Sequence, residues 1–235
     1  NKKFFVDLFN NIKTNNSWRN YLTKYVVGND ALFEPGSDYS YSNTNYLLLG
    51  LVVEHAVNKS VGEAVHHKVL EPLGLHQTYF KYLPAYPNIS GITNNYFTHY
   101  DGYLENVTEI QLHLADVAIG HEGVVASSRD YMRFLQKLVN GQLLDSATLN
   151  MMLDFVPTDE DGEAVGIGIF YYPSQDTYVI GHRGRGPGTM TYLFYLPEEN
   201  TSVFYASNLG GVFSNDMSAR FYDEILDEVV RKVRE

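Results

Sequence analysis

The stretch from Phe33 to Gly50 reads FEPGSDYSYSNTNYLLLG and joins a polar, turn-rich loop to an apolar run. From Leu47 onward the apolar residues recur at helical spacing. The stretch therefore predicts a loop that presents Tyr41 just before a helix. Asn43 has two interpretations, as the helix N-cap for the residues from Thr44 onward or as a side chain that faces a site.

Helical spacing extends over the region from Phe4 to about Leu153. Ser60-Val61-Gly62-Glu63 has the form of a capping box, and Pro72-Leu73-Gly74 predicts the end of that short helix. Ser127 or Ser128 is a candidate cap for a helix over Tyr131 to Val139, which Asn140-Gly141 would end. Helices therefore dominate the first part of the chain.

After Asp161 the pattern becomes strand-like, with short β-branched or aromatic runs between turn residues. The turns at 172–174 and 197–200 are short enough for antiparallel hairpins. A last helix is predicted from about Asn215, with Phe221, Ile225, Leu226, Val229 and Val233 on one face. The four predicted strands are Gly166 to Tyr172, Thr177 to His182, Met190 to Leu196 and Ser202 to Ser207.

The fold class that follows is α+β, an antiparallel sheet flanked by helices plus a mainly helical region. We predict a mainly helical region over residues 1–160 and a sheet region with a C-terminal helix over 161–235. The two regions would form one composite domain. Because the chain opens with Asn1 and no signal-peptide pattern, we expect that it is a trimmed piece of a longer protein.

Composition excludes several classes of function. The formal net charge of −11 argues against a nucleic-acid or anionic-membrane surface, since phosphates would be repelled. The chain has no cysteine, so disulfides, thiolate nucleophiles and cysteine metal sites are excluded. No apolar run is long enough to span a membrane.

Several motifs can be set aside. No serine has glycine two residues before it, which excludes nucleophile-elbow hydrolases. His121-Glu122 begins like a zinc helix, but Val125 stands where the second ligand should be. His66 and His67 are adjacent and would diverge on a helix, so we predict no metal site and no cofactor. Gly184 to Gly188 leads into a strand, so a flexible turn is favoured over a phosphate loop.

Tyr41-Ser42-Asn43, with Pro35-Gly36 before it and Tyr46-Leu47-Leu48-Leu49-Gly50 after it, resembles the Tyr-x-Asn motif region of the serine β-lactamase-like and penicillin-binding protein superfamily. Gly181-His182-Arg183-Gly184 resembles the third motif of that family. Class C β-lactamases usually have Lys-Thr-Gly there, whereas D-Ala-D-Ala carboxypeptidases and esterases often have histidine first. His182 therefore favours the second group, and further landmarks follow in order along nearly the whole chain.

The resemblance implies a set of site residues. Tyr41 would relay a proton once a nearby cation lowers its pKa from about 10, and His182 would donate to the substrate or the phenolate. Asn43 and Gly184 would line the substrate site, and the backbone N–H of Arg185 would hold the oxyanion. Arg183 stands where the family has a small hydroxyl residue, and either pairs with a substrate carboxylate or points to solvent.

One departure from the family pattern is severe. No lysine has serine three residues earlier, and the nearest form is Thr78-Tyr79-Phe80-Lys81. In the family the acyl-accepting serine belongs to Ser-x-x-Lys, upstream of the tyrosine motif. We therefore expect the 235 residues to be inactive alone, because no acyl-enzyme can form without the serine.

The resemblance predicts a piece of a serine hydrolase that acts on D-Ala-D-Ala-type peptides, β-lactams or small esters. The alternative is a non-catalytic family member that binds cell-wall peptides or a protein partner. A periplasmic, secreted or cell-envelope location is implied. We also expect Tyr41 and His182 to face one cleft, and Ser202 to Ser207 to lie at an open sheet edge that can pair with another chain or an upstream fragment.

Overall fold

The computed structural model describes residues 18–80, 91–117, 120–158, 162–174, 177–211 and 225–235. Its helical elements are α1 (Trp18–Tyr25), α2 (Asn43–Val57), α3 (Val61–Val65), a π-helical turn (His66–Leu70), α4 (Glu71–Leu73), α5 (Thr108–Val117), α6 (Ser128–Val139), α7 (Ser146–Met152) and α8 (Asp227–Arg234).

The strands of the described residues are β1 (Thr78–Phe80), β2 (Tyr96–Thr98), β3 (Leu104–Asn106), β4 (Val124–Ala126), β5 (Val156–Pro157), β6 (Ala164–Val165), β7 (Phe170–Ser174), β8 (Thr177–Gly186), β9 (Thr189–Leu196), β10 (Thr201–Ser207) and β11 (Leu209–Gly211). They form three sheets. β1 pairs with β4, β11 and β3 flank β2, and the six strands from β5 to β10 form the largest sheet. The predicted α+β class is confirmed.

By contacts the chain divides into two compact units. The first unit is Asn1–Val69, Thr78–Gly91 and Glu109–Val125, and the second unit is Leu70–Gln77, Ile92–Thr108 and Ala126–Glu235. These groupings interleave along the chain. The division into regions at residue 160 stays a prediction about domains.

The described core of the first unit is small. Tyr21 of α1 and Leu114 of α5 are buried together, with Tyr25 and Ile110 packed against them. α2 is apolar around most of its circumference, and several of its apolar side chains are exposed. These are Leu48, Leu49, Val52, Val53 and Val57.

The second unit is built on the six-stranded sheet, whose order β10-β9-β8-β7-β6-β5 follows the chain. Side chains alternate between the two faces of each strand. Ile180, Leu193 and Tyr195 pack with Leu135 of α6. Tyr172, Val179, Phe194 and Leu196 pack with Leu226 and with Val230 of α8. Helices therefore cover both faces of the sheet.

Four strands and three helix ends agree with the sequence prediction. Four strands lie where they were predicted, although β7 begins four residues later than expected and β8 ends four residues later. Ser60 and Glu63 form the predicted capping box, Gly74 ends α4 in the left-handed conformation, and Ser127 caps α6. Each of these ends depends on local chemistry, which explains why it could be predicted.

Two local predictions were wrong. The turn placed at Tyr172 to Ser174 is not there, because β7 continues to Ser174 and pairs with Thr177 of β8. Asn43 is not the N-cap of α2, because Ser42 takes that role.

The last helix is confirmed over Asp227–Arg234, whereas 212–224 lie outside the described residues. Leu226 and Val230 are its buried positions, while Ile225 is exposed. The inward stripe therefore runs through Leu226, Val230 and Val233 at i, i+4 and i+7.

β10 lies at one end of the large sheet, and within the described residues it pairs with β9 alone in that sheet. The expected edge position of Ser202 to Ser207 agrees with this arrangement. Among the described residues, no helix combines the length and the apolar character that a bilayer crossing needs.

Candidate active site

The loop before α2 is shaped by Pro35 and Gly36. Both the backbone N–H and the hydroxyl of Ser37 donate to the carbonyl of Glu34, at 3.0 and 2.8 Å. Gly36 has a φ of 81°, as the third residue of a type II turn requires. The Pro-Gly pair therefore makes a tight turn just upstream of Tyr41.

Ser42 ends the loop and begins the helix. It is extended, with a φ of −144°, and its hydroxyl accepts a hydrogen bond from the Thr44 backbone N–H at 3.3 Å. Tyr41 consequently lies outside the helix, half exposed, with its ring centroid 5.9 Å from that of Tyr46. Asn43 is the first helical residue and is exposed. Both motif side chains therefore stand at the helix N-terminus.

The pKa of Tyr41 shifts in the direction opposite to the expected one. Burial raises it, and the neighbouring phenols of Tyr46 and Tyr39 raise it further. No cation lowers it among the described residues. Tyr41 is therefore protonated at neutral pH in this environment, and a base role needs a positive charge from another source.

β8 carries the second motif in the second unit. His182 pairs with Leu193 of β9, and its ring meets Phe170 edge to face at 5.4 Å between centroids. Burial lowers the pKa of His182, and the charge of Arg183 lowers it further against a backbone hydrogen bond that raises it. The imidazole is therefore neutral at neutral pH, with one nitrogen able to donate and the other to accept.

β8 extends beyond its pairing with β7. The last β7 pairing joins Phe170 with Gly181, whereas residues 182–186 continue to pair with β9. In the described part of the chain, this half of β8 has no strand on its other edge. The third motif therefore lies on the part of β8 that extends beyond β7.

Arg183 has an internal partner that neither sequence interpretation foresaw. Its guanidinium makes two contacts with the carboxylate of Glu163, at 3.1 and 3.3 Å, and lies 5.4 Å from the centroid of the Tyr172 ring. The Arg183 side chain is 43% exposed. A bidentate pair of this kind holds the guanidinium in one plane.

Gly184 meets β9 at close range, since a Cβ there would lie 2.9 Å from the Thr191 hydroxyl oxygen. Arg185 follows opposite Met190 and is exposed. Tyr41 and Asn43 lie in the first unit, and the residues from His182 to Arg185 lie in the second. Their joint placement in one cleft, like their roles, stays a prediction.

Sequence reasoning missed Glu122, which it treated as half of an incidental His-Glu pair. Burial raises the pKa of the Glu122 carboxyl to about 7 and lowers the pKa of His121. Gln111 Nε2 lies 3.5 Å from the Glu122 carboxylate, and Gln111 Oε1 is buried without a partner. A half-buried carboxyl with a pKa raised to about 7 is a marker of functional sites, and only its burial, not its motif, could have revealed it.

Gly120 fixes this segment against α2. It has a φ of 101°, and a Cβ there would overlap the carbonyl oxygen of Tyr46. Only glycine therefore allows residues 120–123 to approach the helix that begins at the tyrosine motif.

A family model for Beta-lactamase matches residues 6–227 of the chain. The chain belongs to the beta-lactamase family. The sequence prediction of the family is thereby confirmed, and the match spans both motifs.

The relatives of this beta-lactamase family chain are longer than the chain itself. Protein flp of Staphylococcus aureus strain N315 is 21% identical over 213 residues, which cover 86% of this chain and 40% of that protein. This chain thus spans about two fifths of the length of the curated relatives that it matches first.

Two solved structures share the fold. D-amino acid amidase from Ochrobactrum anthropi SV3, in complex with L-phenylalanine amide, has a TM-score of 0.75 at 25% identity, covering 86% of this chain and 60% of that one. A penicillin binding protein from Bacillus halodurans has a TM-score of 0.70 at 21% identity, covering 86% and 61%.

The 235 residues of this beta-lactamase family chain contain no Ser-x-x-Lys sequence. The nearest form begins at Thr78, which lies in strand β1, and Lys81 lies outside the described residues. The Ser-x-x-Lys serine is expected at the start of a helix, whereas Thr78 lies in a strand. The structure therefore gives Thr78 no resemblance to that motif.

Proposed function

We propose that the protein is a serine hydrolase that forms an acyl-enzyme on peptides or amides with a D-configured residue, on β-lactams or on small esters. The observation that carries the proposal is the third motif on the part of β8 that extends beyond its pairing with β7, where a neutral His182 pairs with Leu193 of β9. Membership of the beta-lactamase family and the likeness to D-amino acid amidase support it.

The part of β8 that extends beyond β7 suits an extended substrate. A peptide that adds as a strand beside residues 182–186 makes backbone hydrogen bonds along its length and brings one carbonyl next to His182. The Arg185 backbone N–H would stabilise the oxyanion that forms when this carbonyl is attacked. His182 would donate a hydrogen bond to the substrate or to the phenolate that takes up the serine proton.

Tyr41 would act on the nucleophile. Its phenolate would accept the proton of the attacking serine hydroxyl and return it to the leaving group, which is an amine or an alcohol. Burial and two neighbouring phenols hold the pKa of Tyr41 above its usual value. The proposal therefore needs a cation beside Tyr41, which the lysine of Ser-x-x-Lys would supply.

The serine and this lysine would come from a segment of the protein outside the 235 residues. Substrates of this kind place the protein at the cell envelope or outside the cell. The absence of Ser-x-x-Lys from this sequence favours a second candidate, a non-catalytic member that binds cell-wall peptides or a protein partner.

Acylation of the protein from its complete reading frame tests the proposal. A fluorescent penicillin or an activated ester should label it at a serine, as mass spectrometry would show, and the 235 residues alone should stay unlabelled. Tyr41→Phe should slow acylation by about 10² or more, because general-base assistance is typically worth 10² to 10⁴.

Tyr100→Phe is the matched control, since Tyr100 is 89% exposed and outside both motifs. Its acylation rate should equal that of the unchanged protein. Equal rates for Tyr41→Phe and Tyr100→Phe would remove Tyr41 from the mechanism. Binding of a D-Ala-D-Ala peptide without any acylation would establish the non-catalytic candidate instead.

A further inference from the structure

One continuous helical stretch, Val61–Leu73, contains a π-helical turn at His66–Leu70. Pro72 accounts for the irregular geometry. It has no N–H, and in an α-helix its ring would clash with the carbonyl of Lys68 four residues earlier. A wider turn relieves this clash, and such π-turns are frequent at functional sites.

The π-turn changes which side chains meet. In an α-helix, His66 and Glu71 would point about 140° apart, since five residues turn the helix by about 500°. A π-turn winds the chain less per residue, which brings Glu71 back toward the side of the helix that carries His66. His67 lies four residues before Glu71 and reaches it on the same side.

The three side chains form a compact group. One ligand atom from each of His66, His67 and Glu71 lies within 4.8 Å of the other two. The two imidazole rings are 5.2 Å apart between centroids, at 72° to one another. Local backbone geometry sets this spacing, because a single helical stretch carries all three residues.

The backbone beneath the group is held in place from its other side. Leu70 and Leu73 are buried, at 6% and 1% exposure, and Lys137 of α6 donates to the carbonyl of Leu73 at 2.9 Å. His67 and Glu71 are exposed and His66 is half-buried. The ligands therefore face solvent from a fixed base.

We propose that His66, His67 and Glu71 bind a zinc ion, with water in the fourth position. Two imidazole nitrogens and one carboxylate oxygen are ligands that zinc takes in proteins. Tetrahedral bonds of 2.0–2.1 Å place ligand atoms about 3.3 Å apart, so small rotations of two exposed side chains complete the site. This zinc triad is independent of the acyl-enzyme proposal, and its adjacent histidines gain their third ligand only through the π-turn.

Zinc titration of the protein tests the triad. Isothermal titration with zinc chloride should show one tight site, and zinc at 100-fold above its Kd should raise Tm by about 5 °C or more. His67→Ala and Glu71→Gln should each weaken binding at least tenfold, because even the loss of a residue that only orients a metal ligand costs 10- to 100-fold.

Three further variants make the test more specific. His55→Ala, an exposed histidine of α2, should leave the affinity unchanged. Pro72→Ala should restore α-helical geometry and weaken zinc binding at least tenfold while the zinc-free Tm does not fall. Cobalt should give visible d–d absorption that His66→Ala abolishes.

The triad is overturned if no one-to-one zinc site appears, if His55→Ala loses affinity as His67→Ala does, or if Glu71→Gln binds zinc normally. Unchanged affinity in Pro72→Ala would overturn the role of the π-turn. None of these readouts depends on catalysis, so failure of the zinc triad and failure of the acyl-enzyme proposal are distinguishable.

Discussion

Ionisation of Glu122 lowers the stability of the fold. Burial raises the pKa of its carboxyl from 4.5 to about 7. Because the pKa of Glu122 is higher in the folded state, its contribution to the free energy of unfolding is fully present below about pH 4.5. This contribution is lost as the pH rises to 7. The pKa difference corresponds to about 3 kcal/mol of unfolding free energy, and residual solvent contact reduces this value to about 2 kcal/mol.

Glu122→Gln should therefore remove this loss. Denaturant unfolding at pH 5 and pH 8 should show a smaller fall in stability for the variant than for the unchanged protein. Glu109→Gln, an exposed position of α5, is the control and should keep the original fall. Equal falls in all three proteins would mean that Glu122 is solvated.

The ion pair between Glu163 and Arg183 can also be tested with a single substitution. Under the proposed function, Glu163→Gln should favour binding of a substrate carboxylate by the guanidinium, because the charge of its bidentate partner is removed. The KM for a substrate with a free carboxylate should fall about tenfold, which corresponds to about 1.4 kcal/mol and is slightly less than the 1.5–3 kcal/mol of a full charged hydrogen bond. A neutral ester is the control, and the same change for both substrates would contradict this role.

At the scale of the element, the capping box of α3 can be tested directly. Ser60→Ala removes the hydroxyl that accepts from the Glu63 backbone N–H at 3.3 Å. Loss of an N-cap costs about 1 kcal/mol, so Tm should fall by about 2–4 °C. Ser146→Ala at the first residue of α7, where Asp145 is the cap, should change Tm little.

Helix ends that depend on a single capping residue or glycine could be predicted from the sequence. The π-turn and the end of β7 could not. Ser60, Gly74 and Ser127 end or begin helices through their own side chains or backbone freedom. The π-turn was missed because Pro72 looks like a simple stop signal. The end of β7 was missed because Pro173 reads as a turn, although its φ also fits a strand.

At the scale of the whole molecule, we expect the edge position of β10 among the described strands to favour association with another chain. Within the described residues it has a single strand partner, and Val203, Phe204 and Tyr205 give it an apolar character. Ala206→Lys should lower self-association, measured by light scattering, because a charged edge strand resists pairing.

Ala147→Lys makes the same change in charge at an exposed position of α7 and is the control. Self-association should stay at the original level in this variant. An equal decrease in both variants would show that net charge, and not the edge of β10, governs association.

The fold could be predicted further than the site. Runs of β-branched and aromatic residues between turn residues placed all four long strands. The candidate site depends on burial, which no short motif encodes. The motif proposed Tyr41 with a cation that lowers its pKa, whereas burial and neighbouring phenols raise this pKa, and Glu122 was set aside.

The chain order of the large sheet has a consequence for folding kinetics. Every strand from β5 to β10 pairs with its nearest neighbour in sequence, so the sheet closes only short loops as it forms. The parallel pairing of Leu209 with Tyr96 joins segments far apart in the chain and must close a long loop. During refolding, the sheet should therefore gain protection first, and β11 should join β2 in a later and slower phase.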